Sequence, residues 1–241
     1  MRRMNLTIAG VFGMAAMVPA ALAASATAYS VASHGGSAQA TASATGNARA
    51  TSYAGATNGG TAIANSSASG NRRGYAASDA AALADRGTAI SDSRADARGK
   101  HGGDAVATSQ SVSGAVGGMA VSTSEAQARG AHGGSAHSQS YATAMSRWGI
   151  ATSDSLAVSK GSHGGRAQSI SDSLADTHGG SADSRVVARS GAQYHGSAYA
   201  NGVGVSVSGY RRHSEVRAKA VSQSDRSGRG QARVVSVEVK R

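Results

Sequence analysis

The sequence predicts an all-β fold, a flat two-sheet β-solenoid in which each coil has two strands and a repeat of about 31 residues. Three observations predict it. Ala or Ser occupies every second position through run after run, as in Ala105, Ala107, Ser109, Ser111, Ser113 and Ala115. Gly-Gly pairs, or glycine beside His, Val or Trp, interrupt those runs at nearly even intervals. The runs restart at 105, 120, 136, 151, 167, 182 and 198, so a shorter and a longer step alternate and the full repeat spans two runs. A period of two is the side-chain period of a strand, whereas a helix needs 3.6. A repeat of fixed length decides the fold before other features are weighed.

Taken in order, residues 1–23 read as a secretory signal peptide: Arg2 and Arg3, an apolar stretch from Leu6 to Ala21, and an A-x-A site at Ala21-Leu22-Ala23. Cleavage is expected before Ala24, with no membrane span in the mature chain. Residues 24–60 keep the alternation with shorter, less even steps. Residues 61–210 form the regular solenoid, each run a strand of roughly ten residues and each HGG, VGG or WG a turn. Residues 211–241 are a basic repeat ending in a Val-rich cap strand, where Val235, Val237 and Val239 alternate with Ser236, Glu238 and Lys240. Those charges are expected to blunt a sheet edge.

The small residues explain the slab. With only Ala, Ser and Gly between them, two sheets approach closer than the ~10 Å usual for packed sheets. Glycine at the turns permits positive φ and close backbone approach. Buried serines need partners, expected from the coil above or below. Each small side chain contributes little hydrophobic stabilisation, about 0.8 kcal/mol per buried methyl, so backbone ladders summed over coils must hold the slab. Its ends are open strand edges, templates for a second copy.

Composition sets the bounds. Val, Leu, Ile and Phe make up about 12% of the chain, a level at which disorder is the default and only periodicity argues for a fold. There is no cysteine, and the single proline lies within the signal segment. The formal net charge is +11, and residues 211–241 hold nine Lys and Arg against three Asp and Glu. That basic region is the expected contact for anionic polysaccharide or a cell surface.

Candidate chemistry is sparse. His101, His132 and His163 recur at the interval of the repeat, and His195 follows one position late. In a solenoid they would form a row on one edge, able to bind a transition metal or to charge together. The plainer reading is that histidine suits the turn conformation, since no Asp or Cys recurs beside them at ligand spacing. Ser-Asp-Ser recurs at 91–93, 153–155 and 171–173 without the glycine-aspartate pattern of calcium-binding rolls, and these aspartates are expected to face solvent. No G-x-S-x-G, H-E-x-x-H, P-loop or G-x-G-x-x-G occurs, so no catalytic residue, cofactor or small-molecule substrate is assigned. Tyr141, Trp148, Tyr194, Tyr199 and Tyr210 are too scattered to define a sugar or base platform, and no specific nucleic-acid site is expected.

With its leader, its lack of cysteine and glycine-punctuated strands such as QYHGSA at Gln193–Ala198, the chain resembles in architecture the secreted bacterial β-solenoid fibre and adhesin subunits, curlins among them. It carries Ala and Ser where curlins carry interior Gln and Asn rows, so no functional residue transfers. The resemblance implies an exported, non-catalytic structural protein that self-associates through open edges into surface fibres or extracellular matrix. The alternatives are a monomeric ice- or polysaccharide-binding slab and a disordered Gly/Ser/Ala matrix protein.

Overall fold

The computed structural model describes residues 23–71, 74–100, 103–193, 196–209, 213–224 and 229–240. Every regular element among them is a strand. These are β1 (Ala23–Ala32), β2 (Ser37–Thr45), β3 (Asn47–Ala56), β4 (Thr61–Gly70), β5 (Tyr75–Asp85), β6 (Thr88–Gly99), β7 (Ala105–Val116) and β8 (Met119–Gly130). They continue as β9 (Ala136–Ser146), β10 (Ile150–Gly161), β11 (Arg166–Thr177), β12 (Ser181–Ala192), β13 (Ser197–Ser208), β14 (Ser214–Ser224) and β15 (Arg229–Lys240). The expected leader lies outside the described residues, apart from Ala23 at the start of β1.

Odd strands form an eight-stranded parallel sheet and even strands a seven-stranded parallel sheet, each in sequence order. The chain therefore crosses between sheets at every turn, which is the predicted β-solenoid. Register shows how the repeat changes along it. In the first coils Ala23 pairs with Asn47 and Ser37 with Thr61, at one short interval. The interval then widens through Ala48↔Ala76 and Val106↔His137 to Ser197↔Arg229. The uneven steps of residues 24–60 are thus complete but short coils, and the slab widens toward its C-terminal end. Strands lengthen to match, from nine residues in β2 to twelve in β15.

Alternate residues of each strand face the interior, as the period of two requires. Ala105, Ala107, Ser109 and Ser111 on β7, and Ala120, Ser122 and Ala126 on β8, are all 0% exposed. The serines are partnered in a way the repeat alone did not indicate. Most that are bonded reach across the interior, from sheet to sheet. Ser159 and Ser190, 3.4 Å apart, are a pair of the expected kind, between successive coils of one sheet. Ser66, Ser78, Ser93, Ser109, Ser124, Ser140, Ser155 and Ser171 form one zigzag that climbs half a coil per step. Each hydroxyl donates to a carbonyl oxygen of the facing strand at 2.5–2.8 Å. Successive hydroxyls from Ser66 to Ser155 also lie 2.9–3.1 Å apart. A second zigzag joins Ser91 to Ala80, Ser111 to Ser91 and Ser122 to Ser111, and resumes through Ser153, Ser173 and Ser184. A serine side chain can span from one sheet to the other's backbone only when the sheets lie well inside the usual ~10 Å.

Both zigzags end toward the C-terminus by exchanging Ser facing Ser for Val facing Gly. Val186, fully buried, faces Gly202, where an added Cβ would sit 2.9 Å from its Cγ1. At Gly204 an added Cβ would come within 2.7 Å of the Val216 side chain. Volume is conserved across the interior while hydrogen bonding is given up.

The glycine pairs divide two tasks. At His34-Gly35, His132-Gly133 and His163-Gly164 both residues take positive φ, the histidines at 57°, 55° and 54° and the glycines at 77°, 83° and 83°. Asn58-Gly59 does the same at 58° and 87°. Asn and His are among the non-glycine residues that tolerate this region. The glycine that follows serves close approach. Gly36, Gly60, Gly87, Gly118, Gly149 and Gly180 stack along one flank, and an added Cβ at Gly60, Gly87, Gly118, Gly149 or Gly180 would collide with the carbonyl oxygen one coil below. Those same carbonyls of Gly36, Gly60, Gly87, Gly118 and Gly149 accept from the first strand residue above, at 3.1–3.2 Å.

Candidate interaction surfaces

The turns separate the histidines into two sets. Turns from the eight-stranded to the seven-stranded sheet form a first flank, which carries His34 and His178. The return turns form a second flank, which carries His132 and His163. There the two rings stack, centroids 5.1 Å apart and planes within 5°. His101 and His195 of the expected row lie outside the described residues. On the first flank His178 meets Trp148 edge-on at 5.5 Å. The positive φ of His132 and His163 accounts for a residue that tolerates the left-handed region at these positions. Tyr194 and Tyr210 also lie outside the described residues.

A cluster able to ligate a cation occurs elsewhere, at the C-terminal end of the first flank. Asp183, His213 and Glu215 place ligand atoms within 4.8 Å of one another, with His213 Nε2 3.6 Å from Asp183 and 3.7 Å from Glu215. Arg217 donates to Glu215 and, with the nearby imidazole, holds that carboxyl below the usual range. Arg217 thus competes with a metal for Glu215. In sequence the cluster is hidden because Asp183 and Glu215 lie one coil apart.

The recurring aspartates face outward but are not brought together. Asp92 and Asp154 are in one column of the seven-stranded sheet with Thr123 between them, and Asp172 is on the other sheet. Burial against neighbouring columns pushes all three carboxyls above the ordinary range, with Glu125 adding repulsion at Asp92. The eight-stranded face holds an apolar groove of about 650 Å³ whose lining includes Tyr29, Val31, Tyr53, Leu83, Val116 and Met145. Gly55 and Gly114 alternate with Val31, Leu83 and Met145 in one column and so leave gaps. Tyr29 and Tyr53 stack at 5.0 Å along its wall.

The two ends differ sharply. From Ala23 to Ala48 there is no Lys, Arg, Asp or Glu, and among the described residues β1 and β2 have no strand on their outer side. At the other end, Gly202↔Val234, Gly204↔Ser236, Ser206↔Glu238 and Ser208↔Lys240 are register pairs. Glu238 and Lys240 therefore lie on the inward-facing side of the last strand, where they remain exposed and pair with each other at 3.1 Å. The described C-terminal cations are spread over both faces, Arg217 and Lys219 on one sheet and Arg229 and Arg233 on the other. Among the described residues no helix is long and apolar enough to cross a membrane. No protein-family model, curated protein or solved structure matches this chain.

Proposed function

We propose that the protein is an exported, non-catalytic structural subunit that associates with further copies of itself into fibres or matrix outside the cell. A β-solenoid is compatible with a structural or fibre-like role. The observation that carries the reading is the first coil, two edge strands of ten and nine residues without a charged side chain or proline, whose outer sides carry no strand among the described residues. Long uncharged edges are what soluble β proteins ordinarily avoid. The inward Glu238 and Lys240 guard the other end, because another coil laid there would bury the pair. The N-terminal coil is therefore the assembly edge, and the apolar groove beside it supplies the lateral contact by which associated pairs extend.

The signal-like leader supports export and the architectural resemblance supports a surface role. Ice binding draws no support from the outer columns, where threonines stack at most two deep, as in Thr27↔Thr51 and Thr61↔Thr88.

The test places charge on the edge without touching the interior. Thr27→Lys with Thr41→Lys adds two outward cations to β1 and β2, both at exposed positions. On a chain beginning at Ala24, light scattering and electron microscopy should show assembly in the parent and its suppression in the double variant, with the β circular-dichroism spectrum kept. A parent that stays monomeric at high concentration would overturn the reading.

A further inference from the structure

We propose that the second flank binds a linear polyanion, an acidic polysaccharide laid parallel to the solenoid axis. Arg98 pairs in register with Arg129, and Arg129 with Lys160. Three exposed cations thus stack directly over one another on successive coils, at the ~4.8 Å strand spacing. Lys100 and Arg166 flank them on the same turns, and His132 and His163 stack just beyond the strand ends. Like charges directly opposite one another destabilise a sheet.

Elsewhere like charges in register have an opposite or titratable partner at hand. Arg185 lies opposite Arg217, but Asp154 neighbours Arg185 and Glu215 pairs with Arg217. Asp183 lies opposite Glu215, with His213 near both. Arg94 lies opposite Glu125, at 3.8 Å, Asp154 opposite Arg185, and Arg49 reaches Asp79 at 3.2 Å. On the second flank Arg98 has Asp96 at 3.2 Å, whereas no ion pair forms to Arg129, Lys160, Lys100 or Arg166 among the described residues. Asp104, the nearest acid on these turns, accepts from the Ser135 backbone. The first flank is balanced by contrast, with Asp85 at the end of β5 beside Arg86, and with Arg147 in a turn further along and Asp176 near the end of β11.

A column of three stacked cations with one ion-pair partner among them, Asp96 at Arg98, is a cost to the isolated slab that a bound polyanion removes. Carboxylate and sulfate both suit it, since arginine recognises either through paired N–H donors. The pattern favours polysaccharide over single-stranded nucleic acid, which needs a run of aromatic platforms. In the neighbouring outward column Tyr75 and Tyr199 are separated by Val106, His137 and Gln168. His137 is held below the ordinary imidazole range by burial, partly offset by its bond to Gln168. The sequence signal was present: Arg98, Arg129 and Lys160 are evenly spaced at the interval of the repeat.

The experiment measures binding of the full chain to polygalacturonate and to heparin by titration calorimetry, with oligo-dT as the third probe. A triple variant, Arg98→Gln, Arg129→Gln, Lys160→Gln, is set against Arg217→Gln with Arg233→Gln, which removes C-terminal cations from other surfaces. Binding to one or both polysaccharides should weaken by about tenfold or more in the flank variant, with the salt slope falling by about one per cation removed. It should change little in the C-terminal variant. Preference between the two polysaccharides assigns carboxylate or sulfate as the group recognised. The proposal is overturned by no binding, by equal loss in both variants, or by equal or tighter binding of oligo-dT. The three cations belong to β6, β8 and β10 and not to β1 or β2, so failure here leaves the assembly reading standing, and the reverse also holds.

Discussion

At the scale of single residues, the interior leaves almost no slack, and glycine shows this most directly. Gly118 sits where a Cβ would strike the Gly87 carbonyl, while Gly191, at a strand end, has nothing within 4 Å of an added Cβ. Gly118→Ala should therefore destabilise by about 1–3 kcal/mol through forced backbone movement. Gly191→Ala should be neutral or stabilising by about 0.5–1 kcal/mol, because it lowers the entropy of the unfolded chain. Urea unfolding of the two variants separates these outcomes.

Charge obeys the same tightness. Asp172 carries a carboxyl raised by burial, with Oδ1 unpartnered. A raised folded value means the native chain holds the proton more tightly than the unfolded one, so stability grows as pH falls through that folded value. Asp172→Asn should thus raise the melting temperature at pH 7, and its advantage should shrink as pH drops through the same window. Thermal scans at several pH values check the sign.

Between elements, stability rests on hydrogen bonds that cross the slab. Ser124 donates to the Ser109 carbonyl at 2.8 Å, and its own carbonyl accepts from Ser140 at 2.6 Å. Ser138, equally buried, has no partner for its hydroxyl. Ser124→Ala should cost about 1 kcal/mol, whereas Ser138→Ala should cost nothing or stabilise, since it removes an unsatisfied hydroxyl. Chemical denaturation curves read both.

Much of this scale was legible in the sequence. The alternation from Ala105 to Ala115 named the interior face, and the beat of His132 and His163 named the flank on which they stack. The cross-sheet path of the serine bonds was not legible, because a repeat reports which residues share a face and carries no distance between faces. The Asp183, His213 and Glu215 cluster stayed hidden for a related reason: its members meet only once coil register is known.

Over the whole molecule the governing feature is the difference between ends. The coils lengthen from the short Ala23↔Asn47 step to the long Ser197↔Arg229 step. The first coil has no charge on its edge strands, and the last turns Glu238 and Lys240 inward. That polarity is half visible in the sequence: the charges that alternate after Val235 mark an edge-blunting strand, whereas the charge-free start carries meaning only with the knowledge that β1 and β2 are edges. In a stacked repeat, terminal coils lack one neighbour and open first. The central claim is that self-association covers the N-terminal coil. Hydrogen–deuterium exchange on the chain beginning at Ala24, at low and high protein concentration, tests it most directly. The account predicts slow exchange throughout β6 to β11 at both concentrations, fast exchange in β1 and β2 when dilute, and protection gained there when concentrated. Protection gained at β14 and β15 with β1 and β2 unchanged, or fast exchange throughout the chain, would contradict it.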